Sequence, residues 1–471
     1  MDQSSTGRIV RGLREWLASA SPGQQLPSTR ALAAEYRAGP VTVQKAVQQL
    51  ISLGLVESRP GVGTFVRGRA AATPVDYSWQ TAALGAQPAR SAALSATQRG
   101  AAPDAIALHS GYPARELLPE RAARQALARA ARTDVAVTRA PAAGLPDLRA
   151  WFAGELARAT PAGIAPVSAR DVIVIAGSQG GLSSIFRAVA GRSRPVLIES
   201  PSYWGAILAA EQVGVTLVPV ASGPDGPDPA EVERALVQTG ARAFYAQPAF
   251  ANPTGASWPA ATAAGILEVV RRYGAFLVED DWAHDLAIDA DPRPIAALDA
   301  GGHVIYLRSL TKSVSPAVRV AAVIARGPVR ERLLADRAAE SMYVSGLLQA
   351  AALDVVTQPG WAGHLRRLRE ELRGRRDLLL QSLRELAPSA HIERVPAGGL
   401  NLWVRLPDAT DVDRLVAECA AAGLVIAPGR EWFPAEEPAP YVRLNYAAED
   451  PGRFPEAARI LEECLGRSPR W

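Results

Sequence analysis

Lysine is nearly absent from this chain. Of its 51 basic residues two are lysine, Lys45 and Lys312, and the rest are arginine. Arginine stays protonated and does not become a neutral nucleophile. Lysine can, and imine formation with an aldehyde is its characteristic chemistry. One of the two stands in RSLTKSVSPAVRV, Arg308 to Val320. Cysteine is equally scarce: Cys419 and Cys464 make neither a disulfide framework nor a metal-ligand spacing. The five histidines are scattered, none at ligand spacing from a cysteine, so no structural metal is expected. Long apolar runs are missing too; VAAVIA, Val320 to Ala325, is far too short to span a bilayer. The opening MDQSSTGRIVRGLREW is acidic early and amphipathic, which does not fit a secretory signal. The expectation is a cytoplasmic protein that meets no membrane.

What is present is unevenly placed. The length of 471 residues exceeds one usual domain. Residues 1–70 carry nine Lys or Arg against four Asp or Glu, a net +5, which leaves the other 401 residues at −1. A small basic head on a near-neutral body points to a polyanion-binding module joined to something else.

The head reads as two short helices, a turn and a wing. GRIVRGLREWLAS sets Ile9, Val10, Leu13, Trp16 and Leu17 on one helical face. Ser28 is placed to cap a second helix bearing Leu32, Ala33 and Tyr36. VTVQKAVQQLISLG sets Val43, Ala46, Val47, Leu50 and Ile51 inward and Thr42, Gln44, Lys45 and Gln48 outward. LVESRPGVGTFVRG reads as strand, Gly/Pro turn and strand. The stretches LPSTRALA, TVQKAVQQLISLGLV and RPGVGTFVRG resemble the winged helix-turn-helix of GntR-type transcription regulators. The resemblance implies binding to an operator in double-stranded DNA, through Arg30, Thr42, Gln44, Lys45, Arg59, Gly63 and Thr64. A Ser-Arg pair commonly precedes the recognition helix in that family; Gly39 and Pro40 stand there instead.

Residues 71–104, rich in Ala, Ser, Gly and Pro, read as a linker. In the body, 105–471, nearly continuous apolar runs recur at 171–177, 194–200, 215–220, 242–248, 275–281, 303–309 and 318–325. They predict an α/β fold, a mostly parallel sheet covered on both faces, with the ligand at the carboxyl ends of the strands. There the sequence places a Gly-rich turn into a helix (Gly177 to Gly180), Tyr203, Asn252, the acidic run EDD (279–281), Ser309, Lys312 and Arg319. Together they call for one ligand with an anionic end, an aromatic body and an aldehyde.

These ordered motifs resemble fold-type-I, aspartate-aminotransferase-like pyridoxal phosphate enzymes, with a large domain and a smaller one mostly from about 350 onward. The resemblance implies that Lys312 holds pyridoxal 5'-phosphate as an aldimine. Asp280, 28 residues after Asn252, would face the ring nitrogen, Asn252 the ring hydroxyl and Tyr203 the ring face. Ser178, Gln179, Ser309 and Arg319 would cradle the phosphate, and Arg443 would take a substrate carboxylate. It further implies a homodimer. Three places depart from the pattern: Arg139 and Trp282–Ala283 stand where tyrosines are usual, and Arg308 where glycine is.

Head and body together resemble the MocR subfamily. That implies a bacterial, pyridoxal-phosphate-dependent regulator sensing an amino compound or the vitamer itself. The alternative is a working aminotransferase with an accessory DNA-binding head.

Overall fold

The computed structural model describes residues 4–67, 80, 83, 95–191, 194–291 and 293–467. It divides into two compact units, Met1–Pro88 and Ala89–Trp471. Residues 71–79, 81, 82 and 84–94 of the predicted linker lie outside the described residues.

The first unit packs three helices, α1 (Ser5–Ser19), α2 (Thr29–Glu35) and α3 (Pro40–Ser52), against an antiparallel pair, β1 (Val56–Arg59) and β2 (Gly63–Val66). Ile9, Leu13, Leu32, Val43, Ala46 and Leu50 form its core, as the helical spacing requires. Ser28 caps α2 by accepting from the Ala31 amide. Pro40 occupies the first turn of α3, where a missing N–H costs nothing and the fixed φ favours the helix. Gly39 and Pro40 therefore start α3 by backbone geometry, without a side-chain cap.

The second unit is built on an eight-stranded sheet. In chain order, after the short β3 (Ile106–Ala107), its strands are β4 (Val172–Ile175), β5 (Val196–Ser200), β6 (Leu217–Gly223), β7 (Gly226–Pro227), β8 (Ala243–Ala246), β9 (Phe276–Asp281), β10 (Val304–Ser309) and β11 (Ala321–Ile324). The spatial order is β4-β11-β10-β9-β8-β5-β6-β7. Each predicted apolar run contributes a strand. β11 runs antiparallel to both neighbours, β10 and β4, and β7 is antiparallel to β6; the others are parallel. Alternate residues of the same strands face cores on opposite sides of the sheet. Ile175, Ile198, Tyr245, Val278 and Leu307 lie on one side, and Val174, Leu197, Phe244, Leu277 and Tyr306 on the other. Burial on both faces is why these strands read as unbroken apolar runs.

A second, four-stranded sheet orders β12 (His391–Ile392), β13 (Asn401–Arg405), β16 (Tyr441–Asn445) and β15 (Ala427–Pro428). Its core includes Leu372, Leu379, Leu402, Leu444 and Leu461. Helix Gly346–Thr357 still packs on Glu120–Ala130 beside the large sheet, so the chain enters this smaller lobe at helix Trp361–Leu386. The start of the body joins it as well: β3 pairs with β14 (Leu424–Val425), and Ile106, Leu108 and Leu117 enter its core.

Among the described residues no helix is long and apolar enough to cross a membrane.

Candidate functional site

The parallel strands deliver their carboxyl ends to one edge of the large sheet. There a cavity of about 200 Å³ is lined by all nine residues named for cofactor and substrate: Ser178, Gln179, Tyr203, Asn252, Asp280, Ser309, Lys312, Arg319 and Arg443. They come from the ends of several different strands. Ser178 and Gln179 follow β4, Tyr203 follows β5, Asn252 follows β8, and Ser309 and Lys312 close β10. Arg319 reaches the same edge because β11 is antiparallel and starts there.

Strand alternation sorts the three acids of β9. Glu279 and Asp281 turn away from the cavity. Glu279 accepts from the Ile295 and Ala296 amides (both 2.8 Å), and Asp281 accepts from the Tyr306 hydroxyl (2.6 Å) and pairs with His284 (2.7 Å). Asp280 is 1% exposed and lines the cavity. Its Oδ2 accepts from the Tyr245 hydroxyl (2.7 Å) and from Gln247 Nε2 (2.9 Å). Its Oδ1 is buried and, among the described residues, has no hydrogen-bond partner. Burial raises the Asp280 pKa to about 6; the bonds from Tyr245 and Gln247 oppose that, and Asp281 adds to it. A buried acceptor left unpaired is costly, and a donor arriving in the cavity relieves that cost.

Lys312 donates to the Gly111 carbonyl (2.5 Å) and lies over the Tyr112 ring, 3.4 Å from its centroid. Burial, then the positive charges of Arg443 and Arg319, lower its pKa to about 7, while Asp280 pulls the other way. A β-carbon on Gly111 would touch both Lys312 and Arg443, at 3.9 and 3.8 Å, so the two cations border one space. Arg443 is 1% exposed and, among the described residues, has no ion-pair partner. It donates to the carbonyls of His109 (2.7 Å) and Ser110 (3.0 Å) and to Asn252 Oδ1 (3.3 Å). Burial lowers its pKa as well. Asn252 Oδ1 also accepts from Trp432 Nε1 (3.1 Å), which commits the amide oxygen and leaves Nδ2 as the group to offer a ligand.

The end of the cavity open to an anion is made largely by backbone. Helix Ser178–Val189 begins at Gly177 with no side-chain cap, so its first amides and its dipole are open to an anion. Gly177 has φ +82°, and a β-carbon there would lie 2.8 Å from an Arg319 guanidinium nitrogen. Only glycine permits both the turn and that approach. Arg319 itself takes φ +46°, an uncommon conformation for a side-chain-bearing residue. Tyr203 is held by a bond to Gln179 Oε1 (3.2 Å), and Gln179 Nε2 donates to the Gly205 carbonyl (2.7 Å).

Comparisons with known proteins identify the family of each part of the chain. Residues 103–461 match the model of aminotransferase class I and II. The chain belongs to that family. Residues 5–66 match the gntR family of bacterial regulatory proteins. An aminotransferase body behind a GntR-type head is the architecture of the MocR subfamily. The HTH-type transcriptional regulator YdfD of Bacillus subtilis is 26% identical over 431 residues, 90% of this chain and 88% of its own. The 2-aminoadipate transaminase of Thermus thermophilus is 30% identical over 378 residues, 79% of this chain and 92% of its own. Among solved structures, the alpha-aminoadipate aminotransferase LysN of Thermus thermophilus, complexed with N-(5'-phosphopyridoxyl)-L-leucine, superposes with a TM-score of 0.71 at 29% identity. The match covers 77% of this chain and 92% of that one.

The departures from the aminotransferase pattern have structural explanations in part. Trp282 lines the cavity and donates to the Phe250 carbonyl (3.0 Å), while Ala283 is fully buried in the small-lobe core. Arg308 points away from the cavity. It is 3% exposed, bonds Asp285 (3.0 Å) and Glu155 (3.3 Å), and lies over the Trp151 ring. Asp285 in turn accepts from Ser313 (2.7 Å), the residue after Lys312. Arg139 is exposed and lies outside the cavity.

Sequence reading did not single out Gln247, Tyr245, Thr311, Tyr112, Thr97 or Gln98. Thr311 sat inside the quoted SLTK, and its buried Oγ1 has no partner. Tyr245 and Gln247 lay in the RAFYAQP run, where nothing in the period marks them as polar partners of Asp280.

In the GntR-type head, Arg30, Gln44 and Lys45 are exposed and Thr42 is half-buried on α2 and α3. Gly63 and Thr64 open β2. Arg59 is engaged already: it pairs with Glu57 (2.6 Å) and lies 4.6 Å from the Phe65 ring centroid. Beside them Val41 and Val62 are 66% and 63% exposed.

Proposed function

We propose that this MocR-type protein is a DNA-binding transcription regulator whose aminotransferase body holds pyridoxal phosphate and senses an amino compound. The observation that carries the cofactor reading is the buried, unpartnered Asp280 Oδ1. It needs a donor, and the protonated ring nitrogen of this cofactor is one. Pyridoxal phosphate supplies an aldehyde that condenses with amines and a ring that draws electron density. Lys312 provides the amine that holds it, kept partly neutral near pH 7 by its surroundings. Asn252 Nδ2 would donate to the ring hydroxyl, and Tyr203 would face the ring. The open amides of Ser178 and Gln179, with Ser309 and Arg319, would hold the phosphate. Arg443, a buried cation lacking an ion pair, would bind the effector's carboxylate in bidentate fashion.

The head would supply DNA binding through α3 and the wing. Aminotransferase folds pair as dimers, and exposed Val137, Met342 and Tyr343 leave apolar surface for such a partner. Two heads would then read two half-sites. An effector acts on transcription only by preferring one arrangement of the dimer.

A working transaminase is the second reading: the 30% identity to the Thermus enzyme, Lys312, Asn252 and Arg443 speak for it, and Arg139, Trp282 and Ala283 against it. The experiment is to measure binding of the full-length protein to DNA from upstream of its own gene, with pyridoxal phosphate and with amino acids added. Turnover is assayed in parallel with a keto acid acceptor. Ligand-dependent, specific DNA binding with slow or no turnover is expected. Robust multiple turnover without specific binding would overturn the regulator reading.

A further inference from the structure

Residues 95–99 form a wall of the cavity: Thr97 and Gln98 line it. Residues 95–99 also open the first continuous described stretch of the predicted linker that leads from the head. Two of its attachments lead to Arg443, one through Trp432 and one through His109. At one end the Glu431 carboxylate accepts from Ser95 Oγ and from the Ala96 amide (2.9 Å), and Ser95 Oγ accepts from the Thr97 amide (3.3 Å). Ala96 is buried against Trp403, Trp432 and Phe433. Trp432, next to Glu431, donates to Asn252 Oδ1, the oxygen that Arg443 also uses, and its ring lies 4.7 Å from the Arg443 guanidinium carbon. At the other end the Arg99 carbonyl accepts from His109 Nε2 (2.9 Å), and the His109 carbonyl accepts from Arg443 (2.7 Å).

We infer that residues 95–99 are an effector-reading strap, with Thr97 and Gln98 facing the ligand and Glu431 as its positioning residue. A bound amino acid draws its carboxylate onto Arg443 and bears on Thr97 and Gln98. His109 bonds both Arg443 and Arg99, and Trp432 packs on both Arg443 and Ala96, so the two adjust together. The strap passes the change to the linker, and through it to the head. The geometry supports this because the segment is polar where it meets the cavity, apolar where it is anchored, and clasped by a single carboxylate. This inference rests on the cofactor and effector reading above.

The test uses the full-length protein and the probe N-(5'-phosphopyridoxyl)-L-leucine, which presents cofactor and amino acid as one stable molecule. Hydrogen exchange of the 95–99 amides is compared with pyridoxal phosphate alone and with the probe. Affinity for the upstream DNA fragment is measured in the same two states. The probe is expected to slow exchange in this segment by about tenfold or more and to shift DNA affinity. In Glu431→Gln the probe should still bind, while the exchange difference and the DNA shift are lost. Ser95→Ala, which removes one of the two bonds outside the core, should lose part of both. Unchanged exchange in wild type, or a Glu431→Gln protein that transmits as wild type does, overturns the strap alone. If neither pyridoxal phosphate nor the probe binds, the cofactor reading falls and the strap with it.

Discussion

The Tyr245 hydroxyl donates to Asp280 Oδ2 over 2.7 Å, and the other oxygen of the same carboxylate has no partner. Tyr245 and Gln247 thus orient Asp280 and keep one oxygen for a ligand. Asp280→Ala removes the acceptor and is predicted to weaken pyridoxal phosphate binding by ~10- to 100-fold, the worth of a hydrogen bond to a charged group. Equilibrium titration followed by imine absorbance measures it. Tyr245→Phe should weaken binding less, since Gln247 remains.

Lys312 sets a pH dependence. Its pKa is lowered to about 7, and capture of an aldehyde needs the neutral amine. Capture by the cofactor-free protein should speed up as pH rises through about 7 and level off above it. An unperturbed lysine would keep gaining to ~10.4. The folded pKa lies below the unfolded one, so between them the unfolded chain binds more protons. Lys312 therefore adds stability as pH rises above about 7 and contributes no pH dependence below. Stopped-flow absorbance across pH checks the first expectation, and denaturant melts the second.

Arg308→Gly restores the residue usual at that place in fold-type-I enzymes, yet is predicted to destabilise this protein. Asp285, its side chain 5% exposed, loses its cation. Removing one partner of a buried pair costs about 3–5 kcal/mol. Urea melts of the two proteins measure the difference. A variant as stable as wild type would show that Arg308 is dispensable behind the lysine loop.

In the head, Lys45→Ala should weaken DNA binding and reduce the salt slope of log K by about 1, the loss of one phosphate contact. Arg59→Ala should cost less at equal salt, because Arg59 is already paired with Glu57. Binding measured at several salt concentrations separates the two.

The cavity was legible to the extent that one strand end supplied each residue. A parallel sheet gathers the carboxyl ends of its strands, so polar residues after apolar runs converge whatever the tertiary detail. Asp280, Asn252, Lys312 and Tyr203 were found that way. The direction of β11 was not legible, because an apolar run buried on both faces reads alike in either sense. Nor was Glu431, whose role depends on a segment 336 residues away in the chain. Residues 95–99 looked like linker composition, and only packing against Trp432 distinguishes them. Arg308 looked like a defect in a motif until Asp285 appeared beside it.

The most direct measurement exploits the scarcity of lysine. Pyridoxal phosphate is added to the full-length protein, the imine is reduced with borohydride, and the labelled peptide is mapped by mass spectrometry. With lysine at positions 45 and 312 alone, the label is predicted on Lys312, in near-stoichiometric yield, and absent in Lys312→Ala. No label, or a label that persists in Lys312→Ala, would contradict the assignment of this cavity.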